Sequence, residues 1–546
     1  LSDPHQMKDM DRLVEILAQK IRKQVHIRII GDYDVDGVTS SHLFLTALRR
    51  VGAKVDVVIP HRIQDGYGLS LHLLQQAKED GVDTILTCDN GIAAIDEIAW
   101  AKAQKMTVLV TDHHAVPFEE HEGRRTEKKS LADAVVNPHQ QDCGYPYKEL
   151  CGAGVAWNVI RVLYENYDMD KREAEDLLDF VAMATVCDVM SLTGENRILV
   201  KEGLKRIRHT KNIGLQALMQ ACNVQPENIS AYHFGYVLGP CVNATGRLDT
   251  ARHALRLFET GQETEAEEIA RDLVDLNQER KELTLQGVEM AKKLCEEGGY
   301  ENDPILVLFL PDVHESIAGL IAGRIREMYN RPVFVLTRGE EGVKGSGRST
   351  ENYSMYENMC GCAELFTKFG GHPMAAGLSL PEENVEKFRR KINENCPLTV
   401  EEVCPDIHID MAMPVGYAST ELVHQFALLE PFGKDNPSPL FADRNLSISR
   451  MWVIGKNRNV LRMSVLSEYG QPVPVIFFGD VETLFAYFTE KFGQEEVENA
   501  LHGRKNRILF SMVYTAKVDF YQGNENLQLE ICLLYTSPSP RDYAAS

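Results

Sequence analysis

Long apolar runs are missing from this chain of 546 residues. None approaches the roughly 18 residues that a helix needs to cross a bilayer, and no signal peptide precedes Gly31. We therefore expect a cytoplasmic protein with no membrane partner. The first residue is Leu1 and not Met, so we expect that residues are missing before it.

Paired cysteines are missing as well. The chain has 12 cysteines but no Cys-x-x-Cys pair, and the spacing of Cys360 and Cys362 is wrong for a zinc knuckle. A chain of this length can fold without disulfides, so we expect reduced thiols, as is usual in the cytosol.

Basic residues are in short supply. There are 58 Lys and Arg against 80 Asp and Glu, which gives a formal net charge of −22. This balance argues weakly against nucleic acid as a partner, because phosphate binding uses Lys and Arg. A local basic groove can nevertheless lie on an acidic body, and clustered metal-binding carboxylates add to the acidic count.

The first 140 residues alternate between short β-branched runs and helix-like stretches. This alternation predicts an α/β domain with a parallel sheet covered by helices. A ligand site in such a sheet lies at the carboxyl ends of the strands. The expected strands are 25–30, 55–59, 84–87, 107–111 and 134–137, and the expected helices are 39–51, 71–78 and 93–104.

The rest of the chain divides into further segments, in line with the three to five domains expected at roughly 100–200 residues each. Residues 1–261 form the first domain, which becomes mostly helical after Gly152. A long connecting helix over 262–299 leads to a smaller α/β domain at 300–398 and a connector at 399–441. Five strands and one helix over 442–531 predict a barrel similar to an OB-fold.

Two features of the C-terminal part leave alternatives open. Lys456, Arg458 and Arg462 lie near Trp452 in the sequence and would suit single-strand stacking, but a core role for Trp452 is the simpler interpretation. Residues 532–546 change abruptly to a Pro- and Ser-rich composition, and we expect them to be a non-native tail outside the fold.

Acidic and histidine residues follow three of the expected strands. The first strand is followed by Gly-Asp-Tyr-Asp-Val-Asp-Gly at 31–37, the third by Asp-Asn-Gly at 89–91, and the fourth by Asp-His-His at 112–114. Each motif alone has an ordinary explanation as a turn or a helix cap. Their convergence at one sheet edge predicts a common site.

Carboxylates with an imidazole suit Mn²⁺ or Mg²⁺ better than a thiolate site would. Two such ions about 3.5–4 Å apart can hold a phosphoryl group and activate water. The sequence therefore predicts two divalent metal ions at this edge of the sheet.

The three motifs, in this order, resemble the DHH phosphoesterase superfamily, which uses a two-metal site. The resemblance implies that Asp34 and Asp36 each bind one metal and that Asp89 bridges the two. His113 and Asp188 would be further ligands. Asp112 would orient the histidine pair, and His114 would face the scissile phosphate. Some relatives have a histidine ligand where this chain has Ile30, so one metal would have fewer protein ligands.

Further segments resemble the RecJ branch of that superfamily, with its DHHA1 and OB-like domains. These segments are 151–156, 239–248, 314–319, 344–349, 369–373 and 431–437, and Ser316 and Asp435 stand where the family usually has Gly. The resemblance implies a nucleic-acid-binding set near the 5′ end of the strand. Its members are Arg62, Arg247, Ser346, Arg348, Gly371 and His372.

The resemblance implies a 5′→3′ exonuclease specific for single-stranded DNA, acting in repair and recombination. It also suggests a monomer that works with single-strand-binding protein and a helicase. One alternative is a phosphodiesterase for oligoribonucleotides or cyclic dinucleotides, against which the barrel and the additional motifs weigh. Another is a binding scaffold without catalysis, which the intact set of metal-site residues disfavours.

Overall fold

The structure is a computed structural model that describes residues 1–62, 65, 68–121, 124–248, 250–300, 302–339, 342–396, 398, 407–455, 458–521 and 524–535. The chain divides into two compact units, Leu1–Pro405 and Asp406–Ser546. Among the described residues, no helix combines the length and the apolar character needed to cross a membrane.

A five-stranded parallel sheet forms the centre of the first domain, as the alternating pattern predicted. Its strand order is β2-β1-β3-β4-β7. Residues of β1 and β3 are buried on both faces, which explains their continuous apolar sequence. The strands are β1 (Ile27–Ile30), β2 (Val55–Val58), β3 (Thr84–Cys88) and β4 (Thr107–Thr111), then an antiparallel hairpin of β5 (Phe118–His121) and β6 (Arg124–Glu127), then β7 (Ala134–Val136).

Helices cover this sheet and then continue as a helical layer. Apolar residues from α1, α2, α5 and α7 share one large core with the sheet. The helices are α1 (Met10–Arg22), α2 (Val35–Arg50), α3 (Leu71–Glu79), α4 (Ile95–Ala103), α5 (Gly152–Asn166), α6 (Lys171–Glu175), α7 (Leu178–Cys187), α8 (Gly194–Ile207), α9 (Ile213–Ala221), α10 (Ala231–His233), a π-helical turn (Phe234–Leu238), α11 (Gly239–Leu248) and α12 (Ala251–Glu259).

The long helix predicted over 262–299 is observed as α13 (Glu263–Glu297). It leads to a second sheet with the order β11-β12-β10-β9-β8, in which β8 and β9 are parallel and the other pairs antiparallel. The elements are β8 (Leu306–Phe309), α14 (Ala318–Tyr329), β9 (Val333–Gly339), β10 (Gly342–Arg348), α15 (Met355–Cys360), β11 (Lys368–His372), β12 (Ala375–Leu380) and α16 (Val385–Glu394).

The second unit is a small barrel of the OB type. Strand β14 pairs with β15 on one side and with β17 on the other, and β16 and β18 lie between these. Its elements are β13 (Met411–Ala412), α17 (Thr420–Phe426), β14 (Phe441–Ile454), β15 (Val460–Leu466), β16 (Pro472–Phe478), α18 (Val481–Phe492), α19 (Gln494–Leu501), β17 (Leu509–Tyr521) and β18 (Asn524–Tyr535).

The segment expected to be a connector, 399–441, contributes to this unit. Strand β13 pairs with β14, and Met413 and Val415 are buried in the barrel core. Short apolar patches between prolines did not reveal this packing, because their partners lie far along the chain. The additional helix α19 was not predicted either.

The strand β18 extends past the boundary expected at Ile531. Residues 533–535 pair with Val513, Met512 and Ser511 of β17, and Leu534 packs against the barrel core. The expectation that everything after Ile531 lies outside the fold was therefore wrong for residues 532–535. The composition change misled the prediction because Leu533 and Leu534 also suit a strand. Residues 536–546 lie outside the described residues.

We predict that a chain ending at Ile531 melts at a lower temperature than a chain ending at Tyr535. The shorter chain loses three cross-strand pairs with β17. At roughly 0.2–1 kcal/mol for each pair, the expected loss is about 1–3 kcal/mol of unfolding free energy. Thermal melting gives the two temperatures, and denaturant unfolding gives the two free energies of unfolding. Equal melting temperatures and equal denaturant midpoints would show that these last pairs contribute nothing.

Candidate metal centre

The loop after β1 turns sharply and supplies three aspartates. Asp34 is the N-cap of α2, and its Oδ1 accepts a hydrogen bond from the Gly37 backbone N–H at 3.0 Å. Gly37 is required there, because a Cβ at that position would lie 2.5 Å from the Asp32 backbone. The turn thus places Asp32, Asp34 and Asp36 at the carboxyl end of the strand.

The carboxylate of Asp36 faces the N-terminus of α5. It accepts hydrogen bonds from the backbone N–H groups of Gly152 at 2.6 Å and Ala153 at 2.8 Å. A helix N-terminus carries a partial positive charge, which stabilises a carboxylate in that position. A Cβ on Gly152 would lie 2.6 Å from the Cβ of Asp89 and 2.9 Å from Oδ2 of Asp36. The helix can approach the two aspartates only with glycine at this position.

His113 lies among three carboxylates. Its Nε2 is 3.1 Å from Oδ1 of Asp89, 3.6 Å from Oδ2 of Asp188 and 3.7 Å from Oδ2 of Asp36. Burial lowers the pKa of His113, which favours the neutral ring that a metal needs as a ligand. Asp188 is the C-cap of α7, and Asp89 directly follows β3 with a positive φ of 61°. Three elements thus converge on one imidazole nitrogen.

Asp112 organises the Asp-His-His turn. Its carboxylate accepts the backbone N–H groups of Ile92, His113 and His114, and Oδ1 lies 2.8 Å from Nδ1 of His114. Burial opposes ionisation of Asp112, but the hydrogen bond and charge of His114 bring its pKa below the usual value. Burial likewise opposes the charge on His114, yet Asp112 raises the pKa of His114 to about 9. Asp112 and His114 therefore form a hydrogen-bonded pair in which each stabilises the charged form of the other.

Negative charge accumulates in this small buried volume. Burial and then the neighbouring carboxylate of Asp34 raise the pKa of Asp32 well above its usual value. Burial and then Asp36 and Asp34 do the same to the pKa of Asp89. Like charges at such short range are unfavourable unless cations offset them.

The ligand atoms are grouped closely enough to hold cations. Three sets have their atoms within 4.8 Å of one another: Asp32, Asp34 and Asp89; Asp36, His113 and Asp188; and Asp89, His113 and His114. Carboxylate oxygens with an imidazole fit Mn²⁺ or Mg²⁺. Asp89 and His113 each belong to two of these overlapping sets, and the bridging position expected for Asp89 stays a prediction. Ile30 is fully buried in the core, so that position adds no ligand.

A second polar feature lies between the first domain and the second sheet, both within the first unit. A cavity of about 460 Å³ is lined by Arg62, Arg247, Ser346 and Arg348 from the expected nucleic-acid-binding set. Gly371 and His372 are absent from its lining, although their neighbour Gly370 is present. Gly371 instead lies in β11 opposite Ala376 with a positive φ of 152°, and a Cβ there would lie 2.5 Å from the Ala375 carbonyl oxygen, so the close approach of β12 accounts for it.

The positive charges of the cavity arginines repel one another. Burial and the charge of Arg62 lower the pKa of Arg247 to about 10, and the same causes lower the pKa of Arg348. Arg247 donates a hydrogen bond to the backbone oxygen of Ser316 at 2.6 Å. This bond joins the two lobes of the first unit, which are the first domain and the domain of the second sheet. The guanidinium of Arg62 lies 5.1 Å from the centre of the Tyr33 ring. An anion entering the cavity would relieve this repulsion.

Sequence reasoning missed several residues around these two features. Lys344 and Lys368 also line the cavity, as does Tyr33 of the aspartate loop. Both lysines occur within or beside motifs already singled out, but a lone surface lysine carries no distinctive pattern. In the barrel, the guanidinium carbons of Arg450 and Arg462 each lie 5.8 Å from the centre of the Trp452 ring. Lys456 lies outside the described residues.

Comparisons with known families agree with this arrangement. Residues 26–185 match the DHH family N-terminal domain, residues 302–396 the DHHA1 domain, and residues 409–532 the RecJ OB domain. The chain is 34% identical to the single-stranded-DNA-specific exonuclease RecJ of Haemophilus influenzae, over 86% of this chain and 83% of the relative. It is 32% identical to that of Escherichia coli, over 96% and 90%.

Two further matches cover a smaller share of the matching protein. The RecJ exonuclease of Bacillus subtilis is 34% identical over 86% of this chain, but the chain spans only 58% of that relative's length. The crystal structure of RecJ with Mn²⁺ from Thermus thermophilus matches with a TM-score of 0.79 at 26% identity, over 98% of this chain and 72% of that one.

We predict that Gly152→Ala weakens Mn²⁺ binding about tenfold to hundredfold, the range typical when groups that orient metal ligands are disturbed. The new Cβ would overlap both Asp89 and Asp36 and push their carboxylates apart. Calorimetric titration of the purified protein with Mn²⁺ measures the effect.

Gly154→Ala is the matched control, because its Cβ would meet Leu150 at an ordinary 3.4 Å. Unchanged Mn²⁺ affinity in Gly152→Ala, or equal losses in both variants, would contradict the assignment of this contact.

Proposed function

Because the chain belongs to the RecJ family of single-stranded-DNA-specific exonucleases, we infer that it hydrolyses phosphodiester bonds of single-stranded DNA with Mn²⁺ or Mg²⁺. The observation that carries this proposal is the convergence of four carboxylates and one imidazole on a volume a few ångströms wide. This donor set belongs to metal-assisted hydrolysis of phosphate esters.

Each residue of the centre has a proposed role. Asp34, Asp36, Asp89, His113 and Asp188 would hold the cations, and Asp89 is the carboxylate proposed to be shared between them. When bound, the cations stabilise the charge of the phosphoryl group and lower the pKa of attacking water. The carboxylate of Asp112 orients the histidine pair by accepting hydrogen bonds from the backbone N–H groups of Ile92, His113 and His114 and from Nδ1 of His114.

His114 is proposed to contact the scissile phosphate. Its Nδ1 is held by Asp112 at 2.8 Å, and its pKa of about 9 keeps the ring protonated at neutral pH. The ring is about one third exposed, which makes it accessible to a phosphate oxygen of the substrate. A charged donor of this kind binds an anionic oxygen more strongly than a neutral one.

Direction requires a second feature, because a metal centre alone selects neither end of a strand. We assign this selection to the cavity lined by Arg62, Arg247, Ser346 and Arg348, which suits a terminal 5′ phosphate. Gly371 and His372 follow Gly370 on the same strand, and their contact with DNA is part of the same proposal. The result would be hydrolysis in the 5′→3′ direction.

The cellular setting is also a proposal. A terminus held between two lobes requires an unpaired strand, so a helicase and a single-strand-binding protein are suitable partners in DNA repair and recombination. We propose that the protein acts as a monomer, since one chain supplies both the metal centre and the cavity. The cytoplasm, where reduced cysteines persist, is the proposed location.

We predict that Asp89→Ala lowers the turnover of a 5′-labelled single strand by far more than about a hundredfold, because it removes the carboxylate proposed to be shared between the two metal ions. Asp112→Asn is the comparison, since it leaves the proposed metal ligands in place and weakens the contacts that orient the histidines and favour the charged His114 ring, and it should cost about 10–100-fold. Turnover is measured with Mn²⁺ and with Mg²⁺, and melting is measured without metal. If Asp89→Ala stays folded and loses no more activity than Asp112→Asn, the shared-ligand role is wrong.

We predict that Arg348→Ala weakens cleavage of 5′-phosphorylated single strands about tenfold to hundredfold. The reason is the loss of one charge-assisted phosphate contact, worth about 1.5–3 kcal/mol. Hydrolysis of a small chromogenic phosphodiester should change far less, because it has no terminus to bind in the cavity.

Arg338→Ala is the matched control for Arg348. Arg338 lies on the neighbouring strand β9 but is absent from the cavity lining, and it pairs with Glu382 at 2.9 Å. Equal losses of Arg348→Ala on polymer and small substrate, or first products from a 3′ label, would refute the proposed polarity.

A further inference from the structure

Two tyrosines are unusually exposed on the helical segment before α11. Tyr232 and Tyr236 are 62% and 71% exposed. Their rings are stacked, with centroids 5.1 Å apart and planes inclined by 24°. Stacking occupies one face of each ring, and the Tyr232 ring also packs against the His233 ring with centroids 5.8 Å apart, but the high exposure of both tyrosines leaves most of their remaining surface to solvent. Large aromatic surface held in water in this way marks a binding site more often than a scattered apolar residue does.

The backbone beneath the tyrosines is anchored beside the metal centre. The π-helical turn Phe234–Leu238 lies there, and such turns are frequent at functional sites. The buried Phe234 offers its carbonyl oxygen to the Cys187 thiol at 3.3 Å, and Cys187 immediately precedes Asp188. A Cβ on Gly239 would lie 2.3 Å from the Cys187 sulfur, so the contact is close.

The same segment continues along the aspartate loop. Asn243 accepts a hydrogen bond from the Val35 backbone N–H at 3.1 Å, and Gly246 packs against the Tyr33 backbone. Arg247 follows directly and lines the cationic cavity. The tyrosines and Arg247 are therefore about 20 Å apart along the helix, at roughly 1.5 Å for each residue, and the metal centre is contacted between them.

We propose that Tyr232 and Tyr236 form a stacking platform for bases of the substrate on the 3′ side of the scissile phosphate. The proposal rests on the proposed function, which puts the 5′ end in the cavity at the other end of the helix. A strand leaving the metal centre then passes the exposed rings. Base–aromatic stacking is tolerant of sequence because every base has a π face, as a nuclease that digests any sequence requires.

The first experiment compares the unsubstituted chain with the double variant Tyr232→Ala/Tyr236→Ala. KM for a single-stranded oligonucleotide should rise about tenfold to hundredfold, with little change in hydrolysis of a small chromogenic phosphodiester. Substitution of both residues by Phe should preserve the oligonucleotide KM, whereas substitution by Leu should not, because Leu is apolar but has no stacking face. Leu131→Ala, which removes an apolar side chain that is 63% exposed in the same domain, is the control and should have no effect.

The second experiment places one abasic nucleotide at successive distances from the 5′ end. At one or two positions the missing base should raise the KM of the wild-type chain, and the double Ala variant should show no further loss at those positions. Equal KM values for wild type and the Ala variant, or full preservation by Leu, would overturn the platform. A wild-type chain that fails to digest single strands would instead refute the proposed function itself.

Discussion

Repulsion among buried carboxylates is the constraint on which the rest of the first unit depends. Asp32, Asp34, Asp36 and Asp89 come together because parallel strands end at the same edge. The protein offsets part of their charge with the N-terminus of α5 and with the backbone donors of nearby turns. Burial first, and then the neighbouring carboxylates, raise the pKa values of Asp32 and Asp89, so bound divalent cations would stabilise the charged forms that the protein alone does not.

Close backbone approaches then determine which segments can surround the centre. Gly152, Gly239 and Gly246 each occupy positions where a Cβ would lie within 2.6 Å of another group, and those groups belong to Asp89, Cys187 and Tyr33. The segments that resemble the family outside the three acidic motifs therefore have a structural role of their own. They bring α5 and α11 against the aspartate loop, and they hold the loop in the conformation that binding needs.

The site was more predictable from sequence than the boundaries of the fold. The acidic residues at the strand ends are recognisable in the sequence, because β1, β3 and β4 are short, apolar and directly followed by these residues. The helix α13 was also recognisable from its uninterrupted polar sequence. The pairing between distant segments could not be predicted, since the local sequence of β13 or of the end of β18 contains no information on which strand it pairs with. Asp435 is an intermediate case, because its φ of 59° lies in the left-handed region that favours glycine, the residue that the resemblance leads us to expect at that position.

The opposite charges of the two sites couple the binding of metal to the binding of DNA. The chain carries a net charge of −22, and the carboxylates of the metal centre alone would repel a phosphate backbone. Under the proposed function, an anionic strand end bound at Arg247 and Arg348 brings the next phosphates towards Asp34, Asp36 and Asp89. Cations held by those carboxylates would remove this repulsion, so metal would strengthen DNA binding and DNA would strengthen metal binding by the same factor. The arginine cavity alone would then hold the end of a strand less tightly than the two sites do together.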